Sequence, residues 1–327
     1  MTAPPTRRQK PALTARISAL IARKARKAVV FRRGPSRSVL ALTWNLADDT
    51  LTPGQWFKGR VYERRCDLSP DGELLVYFAG YRGQFRTWTA VSRPPYFTAL
   101  ALWPKGDAWG GGGLFPDAHT LDLNHRPATD ERARDGDETQ LAPDFSLPAG
   151  FRVRPWGPHP GWGEDDPIHT ARQERDGWRI LGEGGGGDWR QYDVAAPVMV
   201  SFDPPWVSAK AIGATGATLR VTLSGLKERD GRWYVEASQI ASSSGEILAD
   251  LGRTDWSDVD HNGDVLYAQQ GRLYRLPVRG RAAPKLGESI LVADLNDLRF
   301  EPIPPPDSAR IWPKSARSAG FAERKGG

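Results

Sequence analysis

The acidic stretch DVDHNGD sets Asp258, Asp260, Asn262 and Asp264 at alternate positions around Gly263. This resembles the opening of a calcium loop, since Ca2+ takes about six to eight oxygens from a short flexible turn. The set then runs out. Gln269 stands where a bidentate glutamate would be needed and no helical pattern flanks the loop, so an ordinary hairpin turn is expected. HPGWGEDDPIH supplies His159, Glu164, Asp165, Asp166 and His169, all residue types that ligate zinc or manganese. Their spacing fits neither a helix nor a hairpin, and the segment is expected to be an irregular surface loop without metal. GGGG occurs at 110–113 and 184–187. Backbone NH groups there could cradle an anion, but neither run leads into GK[ST], so close strand packing or passage near a ligand is expected. Nucleophilic catalysis has no support: there is no GxSxG elbow, and the single cysteine, Cys66, has no evident histidine partner. It is expected to be a buried, inert thiol. No cofactor is implied.

Aromatic and basic residues carry a binding case. WFKGRVYERR sets Trp56, Lys58, Arg60, Tyr62, Arg64 and Arg65 along one extended run, so one strand face is expected to be basic and the other partly aromatic. Trp103 and Trp109 flank the turn PKGD, and Trp156 and Trp162 bracket a Pro-Gly loop. Tryptophan and arginine are favoured at recognition surfaces. The competing role for each tryptophan is to fill gaps between packed sheets.

The elements that must position these residues are short strands. The chain of 327 residues holds 35 Gly, 27 Pro and 13 Trp, a composition suited to many strands joined by tight turns, with little helix. Related turns recur. DLSPDGELLVY (67–77) aligns with DVDHNGDVLYA (258–268), QERDGWRI (173–180) with KERDGRWYV (227–235), and TAVSRPPYFTALAL (89–102) with VMVSFDPPWVSAKAI (198–212). Recurrence at this spacing predicts an all-β fold, a β-propeller of about five or six blades over residues 28–303, because a four-stranded blade must stack on neighbours to bury both faces. A pair of β-sandwiches is the alternative.

SPDGELLVY resembles the repeats of TolB-type and WD40-like propellers, in which such a turn follows the innermost strand of a blade. YERRCDLSPDG and SRPPYFTALALWPKGDAWGGGGLF resemble uncharacterised bacterial proteins of similar size. The resemblance implies a fold and no activity. Some five-bladed propellers are glycosidases with acids converging in a central funnel, and Glu63, Asp67, Asp188 and Asp258 lie on or beside expected inner strands.

The net charge of +6 is the balance of basic ends, +11 over residues 1–40 and +3 over 304–327, against a middle of −8. Polyanion binding is therefore expected of the ends and not of the globular part. TARISALIARKARKA places Ile17, Leu20, Ile21 and Lys24 on one helical stripe and Arg16, Arg23 and Lys27 opposite. Residues 1–27 are expected to form a basic amphipathic or flexible tail able to touch a membrane surface or nucleic acid, and 304–327 a Pro-rich basic tail. No apolar run approaches the ~20 residues of a membrane span and no signal peptide is visible, so a cytoplasmic protein is expected. The expected function is recognition or scaffolding, without chemistry, of a protein or small-molecule ligand on one propeller face; the alternative is a glycosidase-like hydrolase.

Overall fold

The structure is a computed structural model that describes residues 14–34, 38–81, 86–129, 137–185, 198–228, 231–281 and 283–316. The fold is all-β. Sheet one holds β1 (Arg16–Ile21), β2 (Lys27–Arg33), β3 (Ser38–Asn45) and β4 (Thr50–Lys58), antiparallel in chain order. Sheet two holds β5 (Arg60–Val61), β6 (Asp67–Leu68), β7 (Leu75–Tyr81), β8 (Arg86–Ser92) and β9 (Ala99–Pro104), with β5 and β6 both pairing with β7. Sheet three joins β10 (Gly113–Asp117), β11 (Thr120–Leu123) and β12 (Arg152–Pro155), the last pair parallel. After the helix α1 (Asp166–Arg175), sheet four runs β13 (Trp178–Gly182), β14 (Val198–Ala211), β15 (Thr218–Glu228), β16 (Tyr234–Ala241) and β17 (Ile247–Arg253). Sheet five joins β18 (Trp256–Val259), β19 (Val265–Gln269), β20 (Arg272–Leu276) and, beyond the hairpin β21 (Val278–Arg279) and β22 (Lys285–Leu286), β23 (Ile290–Asp294).

Alternation along the strands explains how the sheets stack. In β2, Val29 and Phe31 join a core with Leu75, Tyr77 and Ala79 of sheet two, while Ala28 and Val30 join another with Leu266, Ala268 and Leu273 of sheet five. Successive side chains point to opposite faces, so a strand buried on both sides reads as an unbroken apolar run. In β7, Val76 turns away to a third core with Phe115, Leu121 and Leu123 of sheet three. A fourth core joins Leu219 and Ile240 of sheet four, with Ile212 just beyond β14, to Val259, Val265 and Tyr267 of sheet five. The cores thus link sheets three, two, one, five and four in that order. Between sheets three and four stands α1, which touches both β10 and β13.

The turn alignment of SPDG with DHNGD is matched by structure: each joins a short strand that touches its neighbours, β6 or β18, to a buried one, β7 or β19. Asp260 accepts amide bonds from Asn262 (2.8 Å) and Asp264 (2.9 Å), and Ser69 and Asp71 tie their turn in a similar way. The other two alignments join unlike elements. RPPYF lies in the β8–β9 loop and FDPPW inside β14, while QERD closes α1 and Lys227 and Glu228 of KERD end β15.

The amphipathic helix expected near the N-terminus is a strand. Residues Arg16–Ile21 pair with β2 from Arg16↔Arg33 to Ile21↔Ala28. Ile17 and Leu20 are buried in two different cores, each contributing about 1.5–3 kcal/mol of burial that a detached helix would forgo. Arg23 donates to the carbonyls of Phe115 (2.6 Å) and Pro116 (2.9 Å), and Lys27 pairs with Glu73. Much of the basic charge read as a tail therefore ties sheets together; residues 1–13 lie outside the described residues. The expected C-terminal tail is also docked as far as residue 316, with Ala309 and Ala316 buried and Trp312 against Phe151 at 4.9 Å.

Candidate functional site

Sheets three and four share no apolar core among the described residues, and a cleft of about 850 Å³ opens between sheet four and α1. One wall is sheet four: Phe202, Trp206 and Val207 from β14, Leu223 and Leu226 from β15, and Tyr234 from β16. The other wall is Asp166, His169, Thr170 and Gln173 on α1, with Trp109 from the loop after β9. Trp206 and Ile180 are 37% and 49% exposed, so this wall offers apolar area to a ligand. Trp109 meets Trp162 edge to face at 5.4 Å.

The floor of the cleft is polar and locked. Arg64 pairs with Glu236 and lies over the Tyr234 ring at 3.4 Å. Tyr234 donates its hydroxyl to Asp165 (2.5 Å), whose other oxygen receives Arg65 (2.6 Å). Burial alone would raise the Asp165 pKa, but Arg65 and the Tyr234 hydroxyl outweigh it and hold the carboxylate below its ordinary value. Burial, then the charges of Arg64 and Arg172, pushes His169 well down, so its imidazole is neutral at pH 7. The helix that carries His169 is fixed by Arg172, whose guanidinium donates to the carbonyls of Glu63 (3.3 Å) and Cys66.

Two smaller cavities adjoin this floor. One, of about 110 Å³, is walled by β1, by Asp258 of β18, by Asp67 of β6 and by Asp176 beyond α1. The other, of about 130 Å³, is walled by Arg16, Arg33, Arg60, Arg64 and Arg232 together with Glu63, Asp165, Glu236 and Asp255. Arg64 and Glu236 line all three spaces.

Acids do converge in the smaller cavity, but each has a cation. Asp67 receives Arg175 through two bonds (2.7 and 2.9 Å), Asp176 shares that guanidinium (2.8 Å), and Asp258 holds Lys210 (2.7 Å). Asp255 differs. Its side chain is 3% exposed, Oδ1 receives Arg232 (2.7 Å) and Oδ2 has no hydrogen-bond partner among the described residues. Burial raises its pKa to about 6, and the opposing pull of Arg232 and Arg16 does not cancel that.

Of the residues singled out by sequence, Arg60, Tyr62 and Arg64 meet at the arginine-lined cavity, with Arg60 over the Tyr62 ring at 4.2 Å. Trp109 lines the cleft and Trp162 packs on it. Trp56 and Lys58 lie elsewhere, both against Phe300. Trp103 is 1% exposed inside the core between sheets two and three, which removes it from any surface. Trp156 is half-buried directly after β12. The residues that sequence missed are Arg33, Trp206, Arg232, Tyr234, Glu236 and Asp255, while Arg16 is singled out only as part of a basic N-terminal segment. Tyr234 and Glu236 alternate on one strand as Arg60 and Tyr62 do, so the same pattern could have found them.

The glycine run 110–113 serves packing, as expected. A Cβ on Gly111 would fall 2.3 Å from the Phe78 ring and one on Gly112 2.2 Å from the Arg65 carbonyl. Its amides are spent internally, on the carbonyls of Gly163 and Asn124 and on the Thr89 hydroxyl. Of the second run, Gly184 and Gly185 are described, and Asp188 lies outside the described residues. HPGWGEDDPIH is a loop only up to Asp165, where α1 begins. Among the described residues no group of three or more His, Cys, Asp or Glu could hold a metal. No helix there is long and apolar enough to cross a membrane. Burial raises the Cys66 pKa, which leaves an unreactive thiol.

No family model matches the chain, and no curated protein matches it. Among solved structures it is similar to the uncharacterized protein lmo1340 of Listeria monocytogenes EGD-e, at 7% identity and a TM-score of 0.23. That alignment covers 81% of this chain and 63% of the Listeria one. It is similar also to a chain of a mitotic checkpoint complex, at 9% identity and a TM-score of 0.22, covering 89% and 85% of the two chains. Likenesses of this size leave function to be argued from the chain's own geometry.

Proposed function

We propose that the chain is a five-bladed β-propeller that acts as a recognition module, taking a ligand with flat apolar rings in the cleft between its fourth blade and α1. The blade reading is supported by five sheets in chain order, by cores that link them in sequence, and by the contacts of β1 with β6, β18 and β19. The binding reading is carried by one observation: an 850 Å³ cleft with Trp206 and Trp109 on facing walls, above a floor whose acids and bases are already paired. A space of that size, mostly apolar with a few fixed polar groups, suits a small molecule.

The neutral fluorophore N-phenyl-1-naphthylamine tests this. It should bind saturably with enhanced emission, and Trp206→Ala should weaken it about tenfold, the loss of one aromatic wall. Trp56→Ala should leave it unchanged. Absence of saturable binding, or equal binding by the Trp206→Ala protein, would overturn the reading.

A hydrolytic reading draws on Asp255, a buried acid of raised pKa. A glycosidase pair needs a second carboxylate free to attack or to activate water, and Asp67, Asp176, Glu236 and Asp258 are held by cations. Turnover of a nitrophenyl glycoside that disappears in Asp255→Asn would favour hydrolysis over recognition.

A further inference from the structure

The arginine-lined cavity has more positive charge than its own acids neutralise. Asp255 takes Arg232, Glu236 takes Arg64, and Asp165 takes Arg65 from outside the cavity. Glu63 reaches Arg33 only at 3.7 Å. Among the described residues Arg16 and Arg60 have no carboxylate within ion-pair distance: Arg16 donates to the Gly231 carbonyl and Arg60 lies on the Tyr62 ring. Arg16 and Arg33 are also direct cross-strand partners. Such partners share a sheet face, and like charges placed so repel. Burial, then the charge of Arg33, lowers the Arg16 pKa accordingly.

Around about 130 Å³, Arg16, Arg33 and Arg60 carry three positive charges against the one negative charge of Glu63, a surplus of two in a space that holds several heavy atoms, since a single water needs only ~10–15 Å³ by this measure. Guanidinium forks match the oxygens of a tetrahedral oxyanion, and a doubly charged one answers a surplus of two better than a carboxylate does. This cavity and the aromatic cleft have Arg64, Asp165, Trp233, Tyr234 and Glu236 as common walls. We propose that Arg16, Arg33 and Arg60 form a binding site for a phosphate group, and that the ligand of the cleft is an amphipathic phosphate whose ring system lies against Trp206 while its charged head enters the arginine cavity. The second half of this inference rests on the cleft being a ligand site; the first half does not.

Three probes separate the parts: inorganic phosphate for the cavity, N-phenyl-1-naphthylamine for the cleft, and 1-naphthyl phosphate against 1-naphthol for the link between them. Calorimetry should show saturable phosphate binding, tighter than acetate and lost at high salt, because exposed charges are screened. Arg60→Ala and Arg33→Ala, both outward-reaching side chains whose folding far-UV circular dichroism would verify, should each weaken phosphate about tenfold. Both should leave the neutral fluorophore unchanged, and Trp206→Ala should do the converse. Naphthyl phosphate should bind at least about tenfold tighter than naphthol, since tethering makes the second contact intramolecular, and Arg60→Ala should erase that gain. Absence of saturable phosphate binding, or phosphate binding indifferent to both arginine variants, overturns the phosphate site while fluorophore binding preserves the cleft. Phosphate binding without fluorophore binding rejects the cleft and keeps the phosphate site. Equal affinity for naphthol and naphthyl phosphate rejects the link.

Discussion

Asp255 is held in the fold against its own charge. With its side chain 3% exposed and Oδ2 without a hydrogen-bond partner among the described residues, burial disfavours the charged form, and the pKa rises from 3.8 to about 6. An acid whose folded-state pKa is raised supports folding fully below its unfolded pKa, and that support is lost as pH climbs through the folded value. The window here runs from about pH 4 to about pH 6. Asp255→Asn, neutral at every pH, should therefore stabilise the protein at pH 8 by an amount on the order of 1–3 kcal/mol and change it little at pH 4. Thermal melts of both proteins at the two pH values check this; an Asn variant less stable at pH 8 would mean that the Arg232 pair outweighs burial. Nothing local marks Asp255 in the sequence, because the burial that raises its pKa is created by elements that pack around it only in the folded chain. The tryptophans teach the same lesson. Trp103 and Trp109 stand six positions apart, yet one is core and the other lines the cleft. Residue type alone does not separate these fates, since tryptophan suits a core and a binding face equally well.

At the scale of elements, α1 was legible from signals that composition hid. Asp165 and Asp166 before Pro167, Arg172 and Arg175 in the last turn and Gly177 beyond are start and stop marks of a helix. The strand β1 was misleading for the opposite reason: its apolar spacing fits a helical stripe, and pairing with β2 overrides local preference. Because α1 makes one wall of the cleft, its anchorage bears on binding. Arg172 holds the carbonyls of Glu63 and Cys66 with a guanidinium nitrogen, and an ammonium on a shorter, unforked stem does not reproduce that reach. Arg172→Lys should cost about 1–3 kcal/mol. It should also raise amide exchange across residues 166–175 more than across β7. Unchanged exchange in α1 would show that the helix is fixed by other contacts, among them Arg175 on Asp67.

Across the whole molecule, the recurring turn SPDG/DHNGD made the all-β character readable, because a turn is written in a few adjacent residues. The cleft was not readable. It exists where sheet four faces α1 and the loop that carries Trp109, and that depends on which faces meet after the whole chain has folded. The same long-range packing decides what the N-terminal region does. Sheet one is buried on both sides, with Leu20 in the core shared with sheet two and Ile17 and Ala19 in the core shared with sheet five. Removing residues 1–27 would strip β1 from β2 and open both cores at once, where even a single large-to-small change of this kind costs about 2–5 kcal/mol. A chain beginning at Ala28 should therefore show no cooperative thermal transition, and Ile17→Ala in the full chain should lower the midpoint while keeping one transition by tryptophan emission and far-UV circular dichroism alike. Loss of polyanion binding in that truncated chain would then report unfolding, so charge reversal at residues 7, 8 and 10 is the variant that isolates any electrostatic role of the basic end. A truncated chain that melts like the full one would show instead that β1 is dispensable and that sheets two and five are held together without it.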